Sequence, residues 1–133
     1  MDCNDYLYLE YGDRGRGPDY YDCWGLFHLI YQRELRIKLP GYDSRYAHSQ
    51  SGKDIEQVIK QEIVRWRPVE VPSLFDLLLF QIEGKTAHVA CALNEYDFIH
   101  LQPGCNVAIE SRNGKRPRQR YWRRAYAGAY RYV

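Results

Sequence analysis

The chain has 133 residues, 45% hydrophobic and 27% charged, with a formal net charge of +2, enough apolar surface for one domain to build a core without disulfides or a metal. These proportions exclude a disordered chain, and no run approaches the ~20 apolar residues of a membrane span. The opening Met1-Asp2-Cys3-Asn4-Asp5 is acidic and polar, so the expectation is a protein made in the cytoplasm without a secretory signal peptide.

The first twenty or so residues read as loop, rich in Gly12, Gly15, Gly17 and Pro18, with Asp19 to Asp22 as candidate helix caps. The spacing then predicts a helix over about 24–36, whose Leu26, Phe27, Ile30 and Glu34 share a face with Cys23. Cys23 stands where loop becomes helix. First-turn amides lack internal partners and the dipole is positive there, which favours thiolate. A free thiol near pKa ~8.5 can fall to roughly 3.5–7.5 in such a place beside a histidine; a buried, inert cysteine is the competing reading.

Pro40-Gly41 ends that segment, and a second amphipathic helix is predicted over about 54–65, with Ile55, Val58, Ile59 and Glu62 inward and Pro68 stopping it. Beyond Pro72 the pattern turns to strands at 77–82, 86–93, 98–102, 107–111 and 127–133. Gly84, Asn94-Glu95, Pro103-Gly104 and Asn113-Gly114 separate them. Helices followed by a strand meander predict an α+β fold occupying residues 1–133 as a single domain.

Residues 112–124 carry seven Lys or Arg and no acid, interleaved with Tyr121 and Trp122. A solvated loop is the expectation, and no nucleic-acid partner is expected because no recognised motif accompanies the charge. The cysteines at 3, 23, 91 and 105 have no regular close spacing, so reduced thiols are expected. The 13 tyrosines suit a groove or contact surface as well as a core.

Four histidines could serve Cys23. His28 lies on the same helix, turned away, and His48 in a polar loop. His88 and His100 stand on consecutive predicted strands. An odd-length turn centred on Asn94 would set them face to face on one side of the sheet, whereas a two-residue turn at 94–95 would send them to opposite sides. In the first geometry Cys23 is the nucleophile, His88 its base and His100 the group that orients the base. The Cys23 amide could then donate to an oxyanion. Such chemistry implies no metal and no cofactor.

The ordered set Tyr11-Gly12, Asp22-Cys23-Trp24-Gly25-Leu26, Ala87-His88-Val89 and Phe98-Ile99-His100 resembles the NlpC-type cell-wall peptidases, over roughly residues 8–133. The resemblance implies a papain-like fold, N-terminal helices packed on an antiparallel β-meander, and a Cys-His-His triad of Cys23, His88 and His100. It also implies Tyr11 near the oxyanion and hydrolysis of peptidoglycan stem peptides. Trp24 after the cysteine, Leu39-Pro40, and Trp122 with Gly128-Ala129-Tyr130-Arg131 are similar to the tail-tip assembly proteins of long-tailed phages. That likeness implies a virion-tail location and other tail proteins as partners, and Trp24 is expected to wall the groove.

Three departures stand out. Phe75-Asp76 replaces the family's usual Gly-Asp, Leu101 follows His100 where a small residue is common, and 133 residues leave no room for the metallopeptidase-like domain that the phage proteins often add. A structural plug of a tail tip, and an acyltransferase or amidase on the same scaffold, are the alternatives to a peptidase.

Overall fold

The computed structural model describes residues 1–45 and 52–133, so His48 lies outside the described residues. A short parallel pair, β1 (Glu10–Tyr11) and β2 (Tyr20–Tyr21), frames the glycine-rich loop and delivers the chain to α1 (Cys23–Ile30). Helix α1 starts where it does because the Asp22 carboxylate accepts the Gly25 amide at 2.7 Å, satisfying one of the unpartnered first-turn donors. Gly25 itself lies against the loop, where a Cβ would collide with the Gly15 carbonyl oxygen. The helical run predicted over about 24–36 is found over 23–35, but only its first part is α-helix. After Ile30 it widens into a π-helical turn, Tyr31–Leu35, and Arg36 closes it at φ 56°.

Helix α2 (Gly52–Ile63) buries the expected stripe of Ile55, Val58, Ile59 and Glu62. Pro68, expected only to stop this helix, instead sits in β3 (Trp66–Val69), paired with Tyr130. That strand lies at the sheet edge, where a residue without an N–H is tolerated. The expected meander follows as β4 (Leu77–Ile82), β5 (Lys85–Ala92), β6 (Asp97–His100) and β7 (Ala108–Ser111). Residues 112–124, read from sequence as a solvated loop, are corrected in their second half. They enter helix α3 (Pro117–Ala125), which leads into β8 (Tyr126–Tyr132). Pro117 at the first helical position and the Gln119 side chain accepting the Arg116 amide at 3.1 Å set the start of α3. Trp122 and Ala125, one turn apart, give it a buried face.

The main sheet is antiparallel, in the order β3-β8-β4-β5-β6-β7. Both of its faces are covered. Leu77, Leu79, Val89, Cys91 and Ile99 pack under α1 and α2 with Phe27, Ile30 and Ile59, while Leu78, Phe80, Ala90, Ala92 and Phe98 pack under Trp122 and Ala125 of α3. The alternation follows the period of two along each strand. The α+β architecture of helices on an antiparallel meander is as expected, with α3 as the layer that the sequence reading lacked. Phe75, at the Gly-Asp departure, keeps φ at 73°, the backbone region glycine favours. The turn is retained with a bulky residue in it, and its Asp76 accepts from the Ser73 amide at 2.8 Å and from Arg131 at 2.7 and 2.9 Å. All four cysteines are free thiols.

Candidate active site

Cys23 and His88 line one groove of about 260 Å³ together with Tyr11, Lys85, Leu101 and Gln102. They reach it from different layers. Cys23 begins α1 on one face of the sheet, whereas His88 shares its face with Phe80 and Ala90 on the α3 side. The meeting is possible because β5 and β6 pair over Cys91–Ile99 and Ala92–Phe98, toward the Asn94 turn, and the groove opens at the far end. There the backbone amides of Val89 and Trp24 lie near enough to the sulfur to favour its thiolate.

His88 and His100 are joined, Nε2 to Nδ1, at 2.8 Å. The expected same-sidedness holds, but the face-to-face pairing is corrected. Continuing the register of Cys91 with Ile99 sets His100 opposite Ala90, so the two histidines are diagonal neighbours. The reason is the turn: the Asn94 side chain accepts the amides of Tyr96 and Asp97 at 3.0 and 2.9 Å, which centres the connection on Glu95 rather than on Asn94. The shift is by two residues, so parity and face are preserved. Phe80, Phe98 and Trp122 surround the pair, with the Trp122 ring edge-on to His100 at 4.9 Å.

The sequence reading missed the next group. His100 Nε2 lies 2.7 Å from Glu110 Oε2, and Arg118 clasps that carboxylate with two bonds of 2.6 and 2.7 Å. Burial would raise the Glu110 pKa, but the hydrogen bonds from His100 and Arg118 outweigh it and bring it down to about 2. A glutamate in an otherwise alternating strand, Ala108–Ser111, was the available signal; only the strand register shows where it points.

Electrostatics also correct the expectation of a ready thiolate. Burial, reinforced by the neighbouring Asp22 charge, pushes the Cys23 thiol up to about 12 despite the two amides and Arg16. Burial, helped by His100, pushes His88 down to about 3. The resting pair is therefore neutral thiol and neutral imidazole. Below its pKa a thiol is mostly protonated and does not alkylate, so iodoacetamide should label Cys23 more slowly than the exposed Cys105 at pH 7. The Cys23 rate should still be climbing at pH 9. Cysteine-by-cysteine mass spectrometry reads both rates, and a plateau for Cys23 below pH 7 would contradict this state.

The remaining sequence candidates are distributed as follows. Tyr11 lies in the groove. Trp24 does not wall that groove. It is buried, stacks on Phe27 at 5.4 Å, donates its indole N–H to the Pro40 carbonyl at 2.8 Å, and lines a small apolar cavity on the other side of Cys23. Leu101 is buried in the groove floor. His28 lines a separate open cleft with Arg16, Lys38 and Arg65. Among the described residues no cluster of His, Cys, Asp and Glu is arranged to hold a metal, and no helix is long and apolar enough to cross a membrane.

Comparison with known proteins gives the same picture at the level of family and fold. Residues 8–131 match the model of the NlpC/P60 family. Among solved structures, the NlpC/p60 domain of the peptidoglycan hydrolase SagA aligns with a TM-score of 0.61 at 23% identity, over 96% of this chain and 91% of that one. An NlpC/P60 family protein of Bacillus cereus aligns at 0.67 and 26% identity, over 98% of this chain. A lipoprotein-like NLP/P60 protein of Staphylococcus aureus aligns at 0.64 and 20%, again over 98%. The chain spans 37% and 38% of those last two proteins. No curated protein matches.

Proposed function

We propose that this chain, which belongs to the NlpC/P60 family, is a cysteine endopeptidase that hydrolyses the stem peptides of bacterial peptidoglycan. The observation that carries the reading is the shared groove of Cys23 and His88, with His88 tied to His100 at 2.8 Å. In this reading the thiol proton passes to His88 as the Cys23 sulfur attacks the scissile carbonyl carbon. The resulting oxyanion is met by the Cys23 backbone amide at the start of α1 and by the Tyr11 side of the groove. Collapse breaks the C–N bond, and His88 returns the proton to the departing amine. Water, deprotonated by His88, then splits the thioester and restores the thiol.

Delivery on a phage tail, with other tail proteins as partners, belongs to the same reading. Its support is the Asp22-Cys23-Trp24-Gly25-Leu26 motif together with Leu39-Pro40, two features joined by the bond from Trp24 to Pro40. Arg116, Arg120 and Arg124 are exposed at four-residue spacing along α3, forming one cationic stripe; its charge sign suits anionic wall polymers. The neutral resting pair favours one alternative, an assembly or plug component in which Cys23 is not used.

Purified peptidoglycan and a synthetic stem tetrapeptide, incubated with wild type and with Cys23→Ala, separate these readings. Wild type should release fragments with new amino termini, read by mass spectrometry, and Cys23→Ala should release none while keeping its urea midpoint. Equal release by both proteins would sink the cysteine mechanism. An inactive wild type, with Cys23→Ala still assembling infective particles, would leave the plug component standing.

A further inference from the structure

The side chains that follow His88 form a line across three strands. Continuing the strand registers, His100 stands opposite Ala90 of β5 and Ala108 of β7, and Glu110 stands opposite Phe98. Each functional group is thus displaced by two residues from the one before it, on one face of the sheet. Diagonal neighbours of this kind lie within reach of long and aromatic side chains, and the distances of 2.8 and 2.7 Å show contact at both steps. The line ends at Arg118 on α3, whose side chain is 71% exposed, whereas that of Glu110 is 9% and that of His100 1%.

Hydrogen-bond direction along this line is forced by its far end. An ionised carboxylate only accepts, so His100 donates from Nε2. With His100 neutral, as the test at pH 7.5 supposes, it has one donor and one acceptor nitrogen, so its Nδ1 accepts and Nε2 of His88 donates to it. The nitrogen of His88 left as a base is then Nδ1, the one not engaged in the chain. Reversing the direction at Glu110 would reverse both rings and set an N–H where the base is needed.

We propose that Glu110, clasped by Arg118, is a positioning residue that fixes the tautomers of both His100 and His88 and so leaves His88 Nδ1 free to take a proton. It extends Cys23, His88 and His100 to a four-residue line anchored outside the sheet by an arginine. The role rests on the reading of Cys23 and His88 as the catalytic pair, but the tautomers can be observed without any substrate. Arg118 holds both carboxylate oxygens, which keeps Glu110 ionised and its bonding atoms in place. The basic segment thereby contributes a single charged residue to the site, beside Trp122, while its stripe of Arg116, Arg120 and Arg124 is exposed to solvent.

Histidine ¹⁵N NMR of the full chain tests this. Wild type at pH 7.5 should show His88 and His100 each as the Nε2–H tautomer. Glu110→Gln keeps the shape but can donate as well as accept, so a population of His88 with the proton on Nδ1 should appear. On stem peptide, kcat should fall about 10–100-fold, the scale on which an orienting partner of a functional histidine acts, with KM changed less than twofold. Glu110→Asp should restore the wild-type tautomer, and Arg118→Ala should leave it in place because the carboxylate remains. Wild-type His88 carrying its proton on Nδ1, or tautomers unmoved by Glu110→Gln, would overturn the proposal. Wild type that shows these tautomers but hydrolyses no stem peptide would instead count against the peptidase reading alone.

Discussion

Acidification from pH 7 to pH 3.5 should remove on the order of 4 kcal/mol of folding stability through His88 alone, at about 1.4 kcal/mol for each pH unit between its folded and unfolded pKa values. The folded protein holds His88 at about 3 by burial and by the proximity of His100, whereas an unfolded histidine titrates near ~6.5. Between those two values the unfolded chain binds a proton that the native state refuses, so stability is complete above about pH 6.5 and is lost as pH falls toward 3. Glu110 acts in the same direction at lower pH. Its folded pKa of about 2 lies below the ~4.3 of a free glutamate, so its contribution is complete above pH ~4.3 and is lost as pH falls from there through about 2. Urea midpoints at pH 7.5, 6, 5 and 4 measure the slope, with His88→Asn as the reference that removes the titrating ring. A wild-type slope no steeper than that of His88→Asn between pH 6.5 and 4 would refute the buried neutral histidine. The same neutrality keeps a standing charge out of the aromatic box formed by Phe80, Phe98 and Trp122.

Glu62→Ala should destabilise the fold by roughly 3 kcal/mol, the cost of stranding buried donors. Glu62 is 2% exposed and accepts from Trp66 Nε1 at 2.7 Å, Tyr42 Oη at 2.6 Å and Arg65 at 2.7 and 3.0 Å. It ties α2 to the first residue of β3 and to the loop that borders the small cavity beside Cys23. Alanine leaves the Trp66 N–H without an acceptor inside the core and frees the Tyr42 hydroxyl. Glu62→Gln, which keeps one acceptor oxygen, should recover about half of the loss. The free energy of urea unfolding at pH 7.5 decides the matter, and a change below about 1 kcal/mol for Glu62→Ala would mean that water replaces the carboxylate at little cost. Glu62 was placed correctly on the inner stripe of its helix by spacing alone, yet a carboxylate on an apolar stripe does not reveal its partners. Tyr42 and Trp66 come from segments on either side of α2, brought to it only by packing.

The same division runs through the candidate site. Asp22 before Cys23 is a local signal, because a cap needs only the next three residues, and the helix begins where that signal placed it. In the folded sheet Leu77, Leu79 and Val89 lie on one face and Phe80 and His88 on the other, since the period of two is a property of the extended backbone. The basic segment misled in part because its charges mask a short apolar stripe. Trp122 and Ala125 bury one side of α3, Arg112 stacks on the Tyr126 ring at 3.8 Å, and Arg118 clasps Glu110, so these two arginines are structural rather than solvated spares.

Residues close together in the chain thus sufficed for the first two helices, the strand run of β4 to β8 and the position of Cys23 at a helix start. The Asn94 turn decided the shared face and the two-residue offset of the histidines, whereas packing of distant segments was needed for the entry of Glu110 and Arg118, the withdrawal of Trp24 into the core, and the protonated resting state of Cys23. Register couples strands through turns whose length is set by side-chain bonds such as those of Asn94, and a pKa answers to the water that packing removes. How much water packing removes is not carried by a residue and its neighbours in sequence.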